Sequence, residues 1–176
     1  MGKVSDEVRG HSRVAPVRRA EKRVNFGIFF PMTERMPACE NGCGDREAVY
    51  HFCFPADVEA IPPVLETIAG LARAEMPADK EMEVTLAVQE ALANAVVHGC
   101  HRDPSKTVDC WVAHGPKGFL IVVRDPGPGF DPEAIPSPLQ DQQLGSDHGR
   151  GIHMIRQLMD EVHFQRNGAE IHMCKS

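Results

Sequence analysis

The stretch Glu90-Ala91-Leu92-Ala93-Asn94-Ala95-Val96-Val97-His98 constrains this chain more than any other. It sets a carboxylate, a carboxamide and an imidazole at four-residue intervals inside an otherwise apolar helical run. Positions four apart on an α-helix drift by roughly 40° per step, so the three would share one face. Such a helix must be packed nearly all round yet keep one polar stripe open, which is the pattern of a helix that lines a site.

At 176 residues and 42% hydrophobic content the chain suffices for one ordinary domain with an extension. No apolar run approaches the roughly 18–20 residues a membrane span needs. Nor does the start carry a cationic segment followed by an apolar one and a small-residue cleavage site, so the expected location is cytoplasmic. Charge is uneven: residues 1–24 hold seven Lys/Arg against three acids, a net of +4, while the whole chain carries −6. No aromatic residue interleaves those basic side chains, so the expectation is a soluble, disordered leader without direct nucleic-acid binding.

Six cysteines are scattered along the sequence. Cys39-x3-Cys43, followed by His51 and Cys53, is the one cluster with a permissible zinc spacing, but no second Cys-x2-Cys pair completes it. Free thiols, several of them buried, are the simpler reading in a reducing compartment.

The residues divide into a leader, 1–46, and an ordered domain, 47–176. The leader contains the short apolar run Phe26-Gly27-Ile28-Phe29-Phe30, suited to an extra strand or to a hook onto a partner, and a Pro/Gly/Cys-containing loop from Pro31 to Arg46. Glu47–Phe54 alternates as a strand that Pro55 stops. Asp57 suits a helix N-cap, and Val58, Ile61, Val64, Leu65, Ile68 and Leu71 recur at helical spacing as far as Glu75. Pro62 and Pro63 fall early in that run and delay or distort its start. A second helix is expected from Ala78 to His98, with Gly99 as its stop. Thr107–His114 and Gly118–Arg124 read as a β-hairpin. Asp131–His148 has three prolines and little periodicity, as expected of a lid or binding loop. A third helix is expected from Ile152, and Val162–Arg166 with Glu170–Cys174 forms a terminal hairpin turned at Asn167-Gly168.

Each polar group has a chemistry available to it. The amide oxygen of Asn94 suits a hard cation such as Mg²⁺ that is shared with phosphates. Glu90, one turn away, could take a proton from a nucleophile, and His98 could orient a neighbour or cap the helix. Asp125 ends a hydrophobic strand, where its carboxylate can accept from an exocyclic amine, while Gly127 and Gly129 let the backbone approach a flat base. Gly149-Arg150-Gly151 stands where the third helix opens, and helix starts favour phosphate. Neither the dinucleotide fingerprint nor a Gly-x4-Gly-Lys-Ser/Thr loop is present.

Taken in order, Glu-x3-Asn-x3-His on a helix, Asp-x-Gly-x-Gly after a strand, a lid, and Gly-x-Gly before a helix resemble the GHKL, or Bergerat-fold, ATPase superfamily over residues 47–174. Within it, Glu90-Ala91-Leu92-Ala93-Asn94-Ala95 and Gly149–Val162 look most like the anti-sigma factor serine kinases of bacterial partner-switching systems. The resemblance implies a two-layer α/β sandwich: a mixed, mostly antiparallel sheet with helices on one face and an ATP lid. It implies ATP and Mg²⁺, with Asn94 as metal ligand, Glu90 as general base and Asp125 on the adenine amine. Gly127 and Gly129 would shape the adenine pocket, and Gly149 and Gly151 would lie against the phosphates. His98 matches the end of the first motif.

The resemblance also implies a homodimer, a STAS-type anti-anti-sigma protein as substrate, and a sigma factor or other output protein held inactive. Two features depart from the pattern. The lid carries Asp131, Glu133, Asp141 and Asp147 but no Lys or Arg, so Arg150 is the nearest candidate to meet the terminal phosphate. The leader to residue 46 is also longer than such kinases usually have. The competing reading is an ATP-binding module that sequesters a partner without efficient phosphotransfer, and Glu90 argues against it. A histidine-kinase catalytic domain lacks its phosphoacceptor hairpin here, and topoisomerase or chaperone ATPases need further domains.

Overall fold

A computed structural model of the chain describes residues 20–23, 36–37, 48–131 and 147–176. Six strands form one sheet: β1 Ala20–Arg23, β2 Ala48–Pro55, β3 Thr107–Gly115, β4 Gly118–Arg124, β5 Glu161–Gln165 and β6 Glu170–Lys175. Their order is β1-β2-β3-β4-β6-β5. Every pairing is antiparallel except β1 with β2, which is parallel. This is the mixed, mostly antiparallel sheet the sequence implied. β1 falls in a stretch where the sequence shows no strand pattern.

Three helices pack on one face: α1 Ile61–Glu75, α2 Ala78–Asn94 and α3 Asp147–Leu158. Asp57 starts the first of them, its carboxylate accepting from the Glu59 amide at 3.0 Å. A single 3₁₀ turn, Val58–Ala60, precedes α1. That turn lets Pro62 and Pro63 fall in the first α-helical turn, where the missing N–H groups have no intrahelical partner to lose. α2 lies between α1 and α3. Its inward side chains, among them Val84, Val88, Leu92 and Val96, are fully buried against Phe52, Val108, Ile121 and Ile155. Truncating a side chain such as Leu92 to Ala would cost about 2–5 kcal/mol.

The alternation of β2, β3, β4 and β6 sorts the sheet into two faces. Tyr50, Phe52, Phe54, Cys110, Val112, Ile171 and Met173 face the helices. The second face carries a row of cross-strand neighbours, Asp109, Arg124 and Glu170, beside a second row, His51, Trp111, Val122 and His172. Arg124 Nε donates to Glu170 at 2.5 Å, and His172 Nε2 lies 2.7 Å from the other oxygen of that carboxylate. His51 stacks on Trp111 at 4.6 Å between ring centroids and bonds Asp109 at 2.8 Å. The Arg124 guanidinium covers Trp111 from 4.9 Å.

Most of the lid expectation falls on residues outside the described set, as do Cys39 and Cys43. Among the described residues, no cluster of His, Cys, Asp or Glu could hold a metal, and no helix is long and apolar enough to cross a membrane.

Candidate functional site

The polar stripe of α2 does not continue as one α-helical line. Glu90 and Asn94 stand in α-helical register, but Ala95–Gly99 form a π turn that contains His98. The Cys100 amide reaches back five residues to the Ala95 carbonyl at 2.8 Å. Such a wider turn moves His98 out of the phase that four-residue spacing assumes, and insertions of this type are frequent at functional sites. The three side chains are each half-buried. Neither Glu90 nor Asn94 makes a side-chain hydrogen bond within the described residues.

The π turn delivers Gly99 to the end of β4. A Cβ on Gly99 would overlap the Asp125 carboxylate, and one on Gly127 would meet both Asp125 Oδ1 and the Gly99 carbonyl. Asp125 is therefore held between two glycine backbones from different parts of the chain. Its Oδ1 accepts from the Gly127 amide at 2.8 Å, and its own amide donates to the Ala169 carbonyl at 3.1 Å. Oδ2 accepts from none of the described residues. Burial pushes the Asp125 carboxyl above the usual range, an effect the Gly127 amide and the Lys106 charge only partly offset. A partly desolvated carboxylate with one open oxygen is a site for an external N–H donor.

The loop after Asp125 is pinned by the β5–β6 turn. The Phe130 amide donates to the Asn167 carbonyl at 2.6 Å, and Gly129 (φ +77°) passes so close to that carbonyl that a side chain has no room. Phe130 packs edge-on against Phe164 with centroids 5.5 Å apart.

α3 begins at Asp147, five residues before the start the spacing predicts. Gly149, Arg150 and Gly151 thus lie within the helix instead of ahead of it. The amides without an intrahelical acceptor are those of the first turn, through Gly149, while that of Gly151 lies beyond them. What Gly151 provides instead is clearance, since a Cβ there would strike the Glu90 carboxylate. Its bareness lets α3 close on α2 at the height of Glu90. Arg150 is exposed one residue earlier.

Glu90, Asn94, Gly99, Asp125, Gly127 and Gly151 are thereby brought along one edge of α2, with Asp125 at its C-terminal end and the opening of α3 beside its middle. Gly99 was legible from the sequence only as a helix stop, and its place under Asp125 has no sequence signal beyond being a glycine that directly follows His98. Cys100, next in the chain, is fully buried, and burial together with the Asp125 charge pushes its thiol up to about 11, so it is an inert packing residue. A cavity of about 200 Å³ lined by Glu75, Lys80, His114 and Phe119 lies at the opposite end of α2 and contains none of the motif residues.

A carboxylate cradled by glycines, a neutral amide oxygen and a helix start facing the same edge form a donor and acceptor set that fits adenine, a divalent cation and phosphates in that order. Comparison with known proteins agrees. The family model described as "Histidine kinase-like ATPase domain" matches residues 54–175. The serine-protein kinase RsbW of Bacillus subtilis is 30% identical over 131 residues, covering 69% of this chain and 81% of that protein. Its counterpart in Bacillus licheniformis is 33% identical over 138 residues, with the same coverage. The chain belongs to the histidine-kinase-like ATPase family, and serine-protein kinases are among its relatives there.

Proposed function

We propose that the protein is an ATP-dependent protein-serine/threonine kinase that acts as a partner switch in the cytoplasm. Its substrate is a Ser/Thr hydroxyl on a STAS-type anti-anti-sigma protein, and its output partner is a sigma factor or an analogous protein that it sequesters. The observation that carries the reading is the pairing of two cradles on one helix edge, Asp125 between Gly99 and Gly127 and Glu90 against Gly151.

In this reading Asp125 Oδ2 accepts from the adenine amine, and the bare Gly127 and Gly129 backbones let the base lie close. Asn94 supplies a neutral oxygen to Mg²⁺, which when bound neutralises charge on the phosphates. The first-turn amides of α3, that of Gly149 included, face the phosphates, and Arg150 meets the terminal one. Glu90 takes the proton of the attacking hydroxyl as the serine oxygen–phosphorus bond forms and the bond to the departing ADP breaks. His98, set in the π turn, braces the end of α2. Positioning and charge neutralisation are nearly all such a transfer needs from the protein.

Calorimetry with Mg²⁺ and ATP tests the first half, comparing wild type with Asp125→Ala. Binding lost in the variant supports adenine at Asp125, whereas a folded wild type that binds no ATP sinks the kinase reading. Phosphotransfer to a STAS-type protein tests the second. Glu90→Ala should abolish transfer and spare binding, and Arg150→Ala should slow transfer. Transfer at the wild-type rate in either variant removes that residue from the mechanism. The homodimer implied by family resemblance is tested by sedimentation of the full chain.

A further inference from the structure

The second face of the sheet ought to be wet, because all three helices lie on the first. An antiparallel sheet packed on one side alternates apolar and polar residues along each strand. Here the central strands do not. Trp111, Leu120 and Val122 point to the second face and are 0–2% exposed, and Glu170 and His172 beside them are buried as deeply. Something covers them.

Two described parts of the leader point to the cover. β1 runs parallel to β2, with Ala20 beside Ala48 and Arg23 beside His51. Parallel neighbours cannot be joined by a tight turn; the chain must cross a face of the sheet, which takes a dozen or more residues. Residues 24–47 make that connection, and one face is already filled by α1, α2 and α3. Met36, midway along the connection, packs against the Trp111, Leu120 and Val122 cluster. The crossing is therefore on the second face at that point. By sequence the same stretch holds Phe26, Ile28, Phe29, Phe30 and Met32, the side chains such a face accepts.

We propose that the second face of the sheet is the docking surface of the chain's own residues 24–47, which form a third layer over Trp111. The apolar run Phe26–Phe30, which the kinase chemistry does not use, then has its role: it supplies the apolar part of that layer. A second copy or a partner could reach this face only by displacing the leader. The inference is independent of phosphotransfer and stands whether or not the chain is a kinase.

Trp111 is the sole tryptophan of the chain, so its fluorescence reports this face directly. In the full-length wild type, emission should be blue-shifted and weakly quenched by acrylamide, and should stay so on dilution. Met36→Asp, and separately the pair Phe29→Asp with Phe30→Asp, should raise the quenching constant severalfold while far-UV circular dichroism stays native. Met36→Leu should change nothing. Quenching unaltered in both sets of charged variants would overturn the proposal. Wild-type protection that disappears on dilution would also overturn it, because a second copy would then be the cover. Should the charged variants unfold, a photo-crosslinking benzophenone side chain at position 36 gives a separate reading. Crosslinks within one chain to residues 107–124 support the proposal, and crosslinks only between chains refute it.

Discussion

The carboxylate of Glu90 fills the space that a side chain on Gly151 would need. This relationship joins the two ends of the nucleotide motif set and gives a test in which stability and activity move apart. Gly151 is inside α3, where alanine is favoured over glycine by roughly 1 kcal/mol. The group it would strike is the end of a flexible, half-buried side chain that can swing aside. Gly151→Ala should therefore leave the melting temperature unchanged or raised. Phosphotransfer should fall by about 100-fold, the usual worth of a positioned general base, with ATP affinity nearly intact. A stable variant with full transfer activity would show that the observed Glu90 position is not the working one.

Gly127 makes the opposite case. A Cβ there meets the Gly99 carbonyl, which is backbone and fixed by the π turn, as well as Asp125 Oδ1. Neither can yield without moving the end of α2 or the end of β4. Gly127→Ala should cost about 1–3 kcal/mol in urea unfolding, as overpacking does, and should abolish ATP binding. Retained ATP affinity in Gly127→Ala would disconnect this cradle from the nucleotide.

Asp125 makes binding sensitive to pH. Burial raises its carboxyl above the ordinary value near 4. ATP affinity should therefore hold at neutral pH and weaken as pH falls through that raised value, higher than an exposed aspartate would set. Stability moves the other way. With the folded pKa above the unfolded one, ionising Asp125 costs stability at neutral pH, and the cost vanishes below the unfolded value. Asp125→Asn should thus bind ATP at least about tenfold more weakly, some 1.4 kcal/mol, with no pH dependence in this range. The ATP-free variant should be slightly more stable than wild type at pH 7. Equal pH profiles in calorimetry would assign the titration to another group.

Much of this arrangement is written in local patterns. The helical spacing of Val64, Ile68 and Ala72, the β-branched runs on either side of Pro116-Lys117 and the Asn167-Gly168 turn report nearest-neighbour physics, and the elements form where those patterns stand. The π turn escapes such reading because its sequence, Ala95-Val96-Val97-His98-Gly99, suits an α-helix equally well. What selects the wider turn is the packing of Gly99 on Asp125, a contact between residues far apart in the chain. The early start of α3 escapes for a related reason: glycines at 149 and 151 argue against helix locally, while the gap they leave for Glu90 favours it. β1 is four residues of mostly charged sequence whose strand state depends entirely on the edge of β2.

Glu170 is buried to 2% exposure on the face away from the candidate site, between Arg124 and His172. Burial alone would raise its carboxyl, but hydrogen bonds from His172 and Arg124 outweigh that and hold it below the usual range. Because the folded pKa is the lower one, the stabilisation is present above the unfolded value near 4.3 and is lost as pH falls through the folded one. Glu170→Gln keeps the shape and removes the charge, leaving the Arg124 guanidinium without its buried counter-ion. The variant should be about 1–3 kcal/mol less stable at pH 7. The gap between its urea midpoint and that of wild type should narrow as pH drops below about 4. A gap that stays constant with pH would mean that packing, not ionisation, sets the role of Glu170. Since Arg124 also lies over Trp111, the same variant should leave Trp111 fluorescence protected if residues 24–47 rest on the aromatic ring and not on the ion pair.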